Sequence, residues 1–178
     1  MIKGATIILM SKSFSIISSP YAFIATLFGV GAIPFAPGTW GSFVALLAYL
    51  FITIYFGLSL LDVILITLIV VFLSVWICEK ATARLRDEDK DVKSIVIDEF
   101  SGLWVACIPA SSFLMVKEVL IFSLIAFILF RIFDIWKPYP INKLDEKFKN
   151  GFGIVADDVI AGVYAATFTS LIFYLLVR

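Results

Sequence analysis

Three pairs of ionisable residues stand inside otherwise apolar runs: Asp98 with Glu99, Arg131 with Asp134, and Asp157 with Asp158. A fourth polar block, Pro37-Gly38-Thr39-Trp40-Gly41-Ser42, opens another apolar run. Charges at membrane depth are costly and usually functional. Carboxylates gathered without His or Cys ligands suit a hard cation, Mg²⁺ above all. Arg131, Lys137 and Lys143 can hold an anion, and the planar fork of Arg matches phosphate oxygens. Carboxylates, Mg²⁺ and basic side chains at a membrane surface suggest phosphoryl chemistry on a lipid headgroup. Residue chemistry alone does not choose between a phosphatase, a transferase and a cation pathway.

Composition places these residues in a membrane. Of 178 residues, 62% are hydrophobic and 16% charged, against about 45–50% and 25% in soluble domains. The mean hydropathy is +1.07. Fourteen basic residues balance fourteen acidic ones, so nothing resembles a polyelectrolyte for nucleic acid. The chain has no His, which excludes a His base, a phosphohistidine and any His-ligated metal. Cys78 and Cys107 lie in apolar runs without metal spacing and read as small apolar residues.

The expected fold is all-α, one polytopic membrane helix bundle over residues 1–178 with about five transmembrane helices. The spans are Gly41–Leu60, Asp62–Cys78, Ile95–Val116, Val119–Trp136 and Val159–Val177. A further stretch, Ile16–Phe35, is broken by Ser, Pro and Gly and either spans, re-enters or lies at the interface. The N-terminus does not read as a cleaved signal peptide, since its basic region is only Lys3. Threading the spans puts ten Lys or Arg on one side: Lys80, Arg84, Arg86, Lys90, Lys93, Arg131, Lys137, Lys143, Lys147 and Lys149. The other side has Lys117 and Arg178. The basic side is therefore expected to be cytoplasmic. Trp40, Trp76, Trp104 and Trp136 fall near span ends and are expected to form an interfacial belt. The 79–94 charge run reads as a solvated loop attracted to anionic lipid.

All four polar clusters fall on the basic side, although apolar lengths and turns alone set the topology. A plainer reading exists for most of them. Acids at helix starts complement the helix dipole, and Asp98, Glu99, Asp157 and Asp158 are all expected near starts. Asp134 sits at the wrong helix end for that explanation. Asp98-x3-Gly102-x-Trp104-x-Ala106 also parallels Asp158-x3-Gly162-x-Tyr164-x-Ala166. Residues four apart share a helix face, so each Asp lies one turn from a Gly that admits a close neighbour. Two such helices could bring their Asp side chains together.

At these residues the sequence resembles the phosphatidylglycerophosphatase A family. The blocks are Pro37–Ser42, Ile95–Gly102, and Phe130–Ile141 continuing into Gly151–Gly162, in that order. The acidic lead-in, AspGluAspLysAsp at 87–91, is looser than the family's, and Ser101 stands where a Val-like residue is usual. The resemblance implies a Mg²⁺-dependent lipid phosphatase. It would convert phosphatidylglycerophosphate to phosphatidylglycerol and phosphate at the inner leaflet of a bacterial cytoplasmic membrane. On that reading Asp98, Asp157 and Asp158, with Glu99 or Asp134, hold one or two Mg²⁺, and Asp134 or Glu99 acts as general base. Arg131 and Lys137 neutralise the phosphoryl oxygens. Thr39 either hydrogen-bonds phosphate or metal water, or N-caps the Gly41 helix. LysProTyrProIle at 137–141 either fixes Lys137 over the site or simply stops its helix.

The rival mechanism is an aspartyl-phosphate intermediate. The rival function is a transporter using the carboxylates for cations. The sequence leaves the oligomeric state open. The topology has a direct test. A cysteine introduced by Glu88→Cys should react with an impermeant maleimide only from the cytoplasmic side, and one introduced by Lys117→Cys only from the other. The reverse pattern would contradict the basic-side assignment.

Overall fold

A computed structural model describes residues 14–83, 85, 92–143 and 150–177. Among them every regular element is helical: α1 (Pro20–Ala25), a 3₁₀ turn (Val30–Ala32), α2 (Pro37–Phe56), α3 (Leu60–Thr82), α4 (Ile97–Cys107), a second 3₁₀ turn (Ile108–Ser112), α5 (Val116–Trp136) and α6 (Gly151–Val177). Four helices are long and apolar enough to cross a membrane: α2, α3, α5 and α6. The expectations on residues 1–13, on Arg84, on the charge run at 86–91, on Lys147 and Lys149 and on Arg178 lie outside the described residues.

The expected fifth span, Ile95–Val116, takes a different form. It is an eleven-residue α-helix followed by a 3₁₀ turn. Pro109 lacks an N–H and its ring crowds the carbonyl four residues back, which disfavours continuing the α-helix through it. Such a break at membrane depth requires protein around it, because lipid cannot satisfy the freed backbone. Here α4 is the buried centre of the bundle, and Ser101, Gly102, Leu103, Trp104, Ala106 and Cys107 are all buried. The carbonyl of Cys107 accepts a 2.7 Å hydrogen bond from the Tyr49 hydroxyl of α2. Trp104 donates its indole N–H to the Ala45 carbonyl at 3.1 Å, and its ring meets Tyr49 edge-on. Trp104 is 3% exposed. It is thus a core residue rather than part of a belt, while Trp40, Trp76 and Trp136 remain exposed.

Small residues set the helix spacing. A β-carbon on Gly162 of α6 would collide with the carbonyl oxygen of Gly102. One on Gly102 would lie 2.6 Å from the carbonyl oxygen of Asp158 and 2.7 Å from the Phe130 ring. The backbones of α4 and α6 therefore touch at these glycines, as small residues allow in membrane packing. On the other side, a β-carbon on Gly41 of α2 would lie 2.7 Å from Val96 Cβ.

The remaining elements hold the ends. Gly57 closes α2 with φ +58°, and Ser59 with Asp62 forms a capping box that starts α3. The 16–35 stretch does not span: α1 has six residues, and positive φ at Leu27, Phe28 and Gly29 reverses the chain. It packs at the end where α4 begins, with the Val96 N–H bonded to the Ala25 carbonyl at 3.0 Å.

The last helix starts at Gly151, eight residues before the expected Val159. Asn150 accepts the Gly153 N–H at 2.9 Å, and Glu79 of α3 accepts the Gly151 N–H at 2.7 Å. These caps extend the helix through a stretch too polar to count as apolar. At 27 residues α6 is roughly 40 Å long, against about 30 Å of hydrocarbon. It exceeds an untilted span by about two turns.

A Gly162→Val substitution should therefore push α4 and α6 apart. We expect a thermal midpoint about 5–10 °C lower in detergent, with no shift for the lipid-facing neighbour Val163→Ala. An unchanged midpoint in Gly162→Val would contradict the close crossing.

Candidate active site

Four helix ends meet around one cavity of about 400 Å³: the starts of α2, α4 and α6 in sequence order, with the end of α5 between them. Eight of the nine residues singled out above line it: Thr39, Asp98, Glu99, Arg131, Asp134, Lys137, Asp157 and Asp158. Lys143 does not line it; its ammonium lies over the Tyr139 ring, 5.1 Å from the centroid.

The crossing at Gly102 and Gly162 places Asp98 and Asp158 one helical turn away on the touching faces. One oxygen each of Asp98, Glu99 and Asp158 lies within 4.8 Å of the other two. At that separation two ionised carboxylates repel by about 3 kcal/mol, taking an effective dielectric of ~20. Asp98 is partly compensated: its Oδ1 accepts the Glu99 N–H at 3.0 Å in the first turn of α4. Asp158 has no such helix-end compensation. It lies seven residues inside α6, beyond the reach of the dipole at the start, and is 3% exposed. The expectation that Asp157 and Asp158 sit at a helix start is thereby corrected, and the dipole does not explain them. Glu99 Oε2 is buried and has no hydrogen-bond partner among the described residues. Three buried or half-buried carboxylates this close, one with an unmet oxygen, form a donor set suited to a hard divalent cation.

The other two acids are held by bases. Asp134 Oδ2 pairs with Arg131 Nη1 at 3.0 Å, both side chains 15% exposed. Its carboxyl also stands beside that of Asp158. Asp157 Oδ2 pairs with Lys137 Nζ at 2.8 Å. Lys137 caps α5 in the left-handed conformation, φ +46°, with its N–H on the Phe133 carbonyl. The helix stop and the placement of Lys137 are therefore one event.

Arg131 is fixed from α2 by residues that sequence reasoning left unassigned. Its Nη1 donates to Ser42 Oγ at 3.2 Å, and the Ser42 hydroxyl donates to the Gly38 carbonyl at 2.8 Å. A β-carbon on Gly38 would collide with Glu99 Oε1 and lie 3.1 Å from Arg131 Nη2. Gly38 and Ser42 thus make room for, and orient, two charged groups on other helices. Both stand in the Pro37–Ser42 block, which was the available signal. Thr39 lies in the first turn of α2, whose N-cap is Ala36, so the N-capping reading of Thr39 does not hold. Lys93 also lines the cavity; nothing in its sequence context marked it.

Fold and site together define an integral membrane protein with an acidic cleft that could hold a cation, flanked by basic side chains. The chain belongs to the phosphatidylglycerophosphatase A family, whose family model matches residues 23–173. It is 39% identical over 156 residues to phosphatidylglycerophosphatase A of Haemophilus influenzae, covering 86% of this chain and 88% of that one. It is 31% identical over 159 residues to the Escherichia coli protein of that name, covering 88% and 86%. A Bacteroides thetaiotaomicron protein provisionally named a phosphatidylinositol-3-phosphatase is 37% identical over 146 residues, covering 80% and 86%. No solved structure matches the chain. The protein is a phosphatase.

Asp158→Asn should reduce phosphatase activity at least about 100-fold while the protein remains extractable and folded. Arg131→Lys keeps the charge but loses the fork, so kcat/KM should fall about 10- to 100-fold. Full activity in either variant, measured as phosphate release, would remove that residue from the site.

Proposed function

We propose that this protein is a Mg²⁺-dependent phosphatidylglycerophosphatase, releasing phosphate from phosphatidylglycerophosphate to leave phosphatidylglycerol, at the cytoplasmic face of the membrane. The observation that carries the reading is the convergence of Asp98, Glu99 and Asp158 within 4.8 Å in a cavity that Arg131 and Lys137 also line. The names of the Haemophilus and Escherichia relatives support the substrate. The excess of Lys and Arg on the site's side supports the orientation.

Asp98, Glu99 and Asp158 fit a hard cation by donor type, proximity and the unmet Glu99 oxygen, and they would hold the Mg²⁺. When bound, the ion supplies Lewis-acid chemistry, drawing charge from phosphoryl oxygens and acidifying water. Arg131 and Lys137 receive the terminal phosphate, stabilising the charge on its equatorial oxygens. Asp134, held by Arg131 through Oδ2, takes a proton from water as its oxygen attacks phosphorus. The bond from phosphorus to the glycerol oxygen breaks. That oxygen takes a proton, ultimately returning the one removed, to give the alcohol and inorganic phosphate. Thr39, at the start of α2, hydrogen-bonds the phosphate.

A cation pathway is the poorer reading. The acids cluster at one end of the bundle, beside bases, while transport sites lie near the midplane. The purified protein in detergent should release phosphate from phosphatidylglycerophosphate with Mg²⁺ and stop when EDTA removes it. No release from well-folded protein would overturn the substrate assignment, and undiminished release in EDTA would overturn the metal requirement.

A further inference from the structure

The cavity is lined by three basic side chains, Arg131, Lys137 and Lys93, and two of them are engaged by acids. Lys93 is exposed and has no ion-pair partner among the described residues. Its backbone is not loose. The Ile95 N–H bonds the Val92 carbonyl at 2.9 Å, making a tight turn with Lys93 inside it, and the Val96 N–H bonds Ala25. The Ser94 carbonyl packs where a side chain on Gly31 would otherwise stand. The N-terminal segment from α1 to the first 3₁₀ turn therefore braces the Lys93 turn at the mouth of the cavity. The acids lie deeper, with Asp157 and Asp158 6% and 3% exposed.

This layout has two levels, a deep acidic and Arg-bearing floor and a single lysine at the rim. We propose that Lys93 is a specificity residue that binds the diester phosphate of the substrate while the terminal monoester occupies the floor. The proposal deepens the function given above and rests on its substrate class. Phosphatidylglycerophosphate carries two phosphates joined by one glycerol. The terminal one must reach the acids to react. The other lies one glycerol farther out, towards the exposed rim of the cavity that Lys93 lines. A diester bears one negative charge on two free oxygens, which an ammonium on a flexible stem meets as a point charge. A lipid with a monoester alone gains nothing from Lys93.

The test is steady-state kinetics in nonionic detergent, with inorganic phosphate as a competing probe of the floor alone. For Lys93→Gln the KM for phosphatidylglycerophosphate should rise about tenfold, with kcat within about twofold and the inhibition constant of inorganic phosphate unchanged. Lys93→Arg should restore most of the KM. A parallel rise in KM and in the phosphate inhibition constant would show a general distortion and overturn the proposal, as would an unchanged KM. An effect seen only when anionic lipid is added would assign Lys93 to membrane attraction and overturn it too. Failure of the wild type to hydrolyse phosphatidylglycerophosphate would instead refute the substrate class, and this proposal with it.

Discussion

The contact of α4 with α6 at Gly102 and Gly162 is the constraint on which the site depends. Each glycine lets the other helix's backbone in, so that a β-carbon at either position would meet a carbonyl oxygen. Because both helices start at the same end of the bundle, the residues one turn earlier, Asp98 and Asp158, are brought to the same height. Their mutual repulsion opposes this approach. Packing along the rest of the two helices must hold it, and a cation between the carboxylates would relieve it.

The burial of α4 follows from the same contact. Helices that cross lipid are long and apolar all round; α4 is short, ends at a proline turn and is enclosed by α2, α3, α5 and α6. Hydrogen bonds from side chains of neighbouring helices meet its backbone. Tyr49 takes the Cys107 carbonyl, and Ser74 of α3 takes that of Ile97 at 3.3 Å. Enclosure fixes the start of α4 relative to three other helix ends, so Glu99 passes over Gly38 of α2 and faces Arg131 of α5. The acids of the cavity and Arg131 are therefore positioned by helix packing rather than by loops, which suits chemistry that needs fixed geometry.

Much of this was legible in the sequence, for identifiable reasons. Apolar run length located four spans because hydrocarbon thickness imposes it. The Asp-x3-Gly repeat anticipated the α4–α6 crossing because a residue and its neighbour four positions on share a face. What was not legible came from tertiary context. Hydropathy could not tell a central buried helix from a spanning one, so Ile95–Val116 read as a span and Trp104 as an interface residue. Nor could it extend α6 to Gly151, because the cap comes partly from Glu79, 72 positions away. Ser42 and Gly38 serve Arg131 from another helix, and no local pattern announces that. Lys93 reads as one of many basic residues until the chain is folded around the cavity.

We propose that Asp98, Glu99 and Asp158 form one cation site built by the α4–α6 crossing. Binding of Mn²⁺ to the purified protein, followed by electron paramagnetic resonance in the absence of substrate, tests it most directly. The wild type should show a saturable site whose affinity falls at least about tenfold in Asp158→Asn and from which Mg²⁺ displaces Mn²⁺ by competition. Mn²⁺ binding of undiminished affinity in folded Asp158→Asn protein, or no specific binding in the wild type, would contradict it.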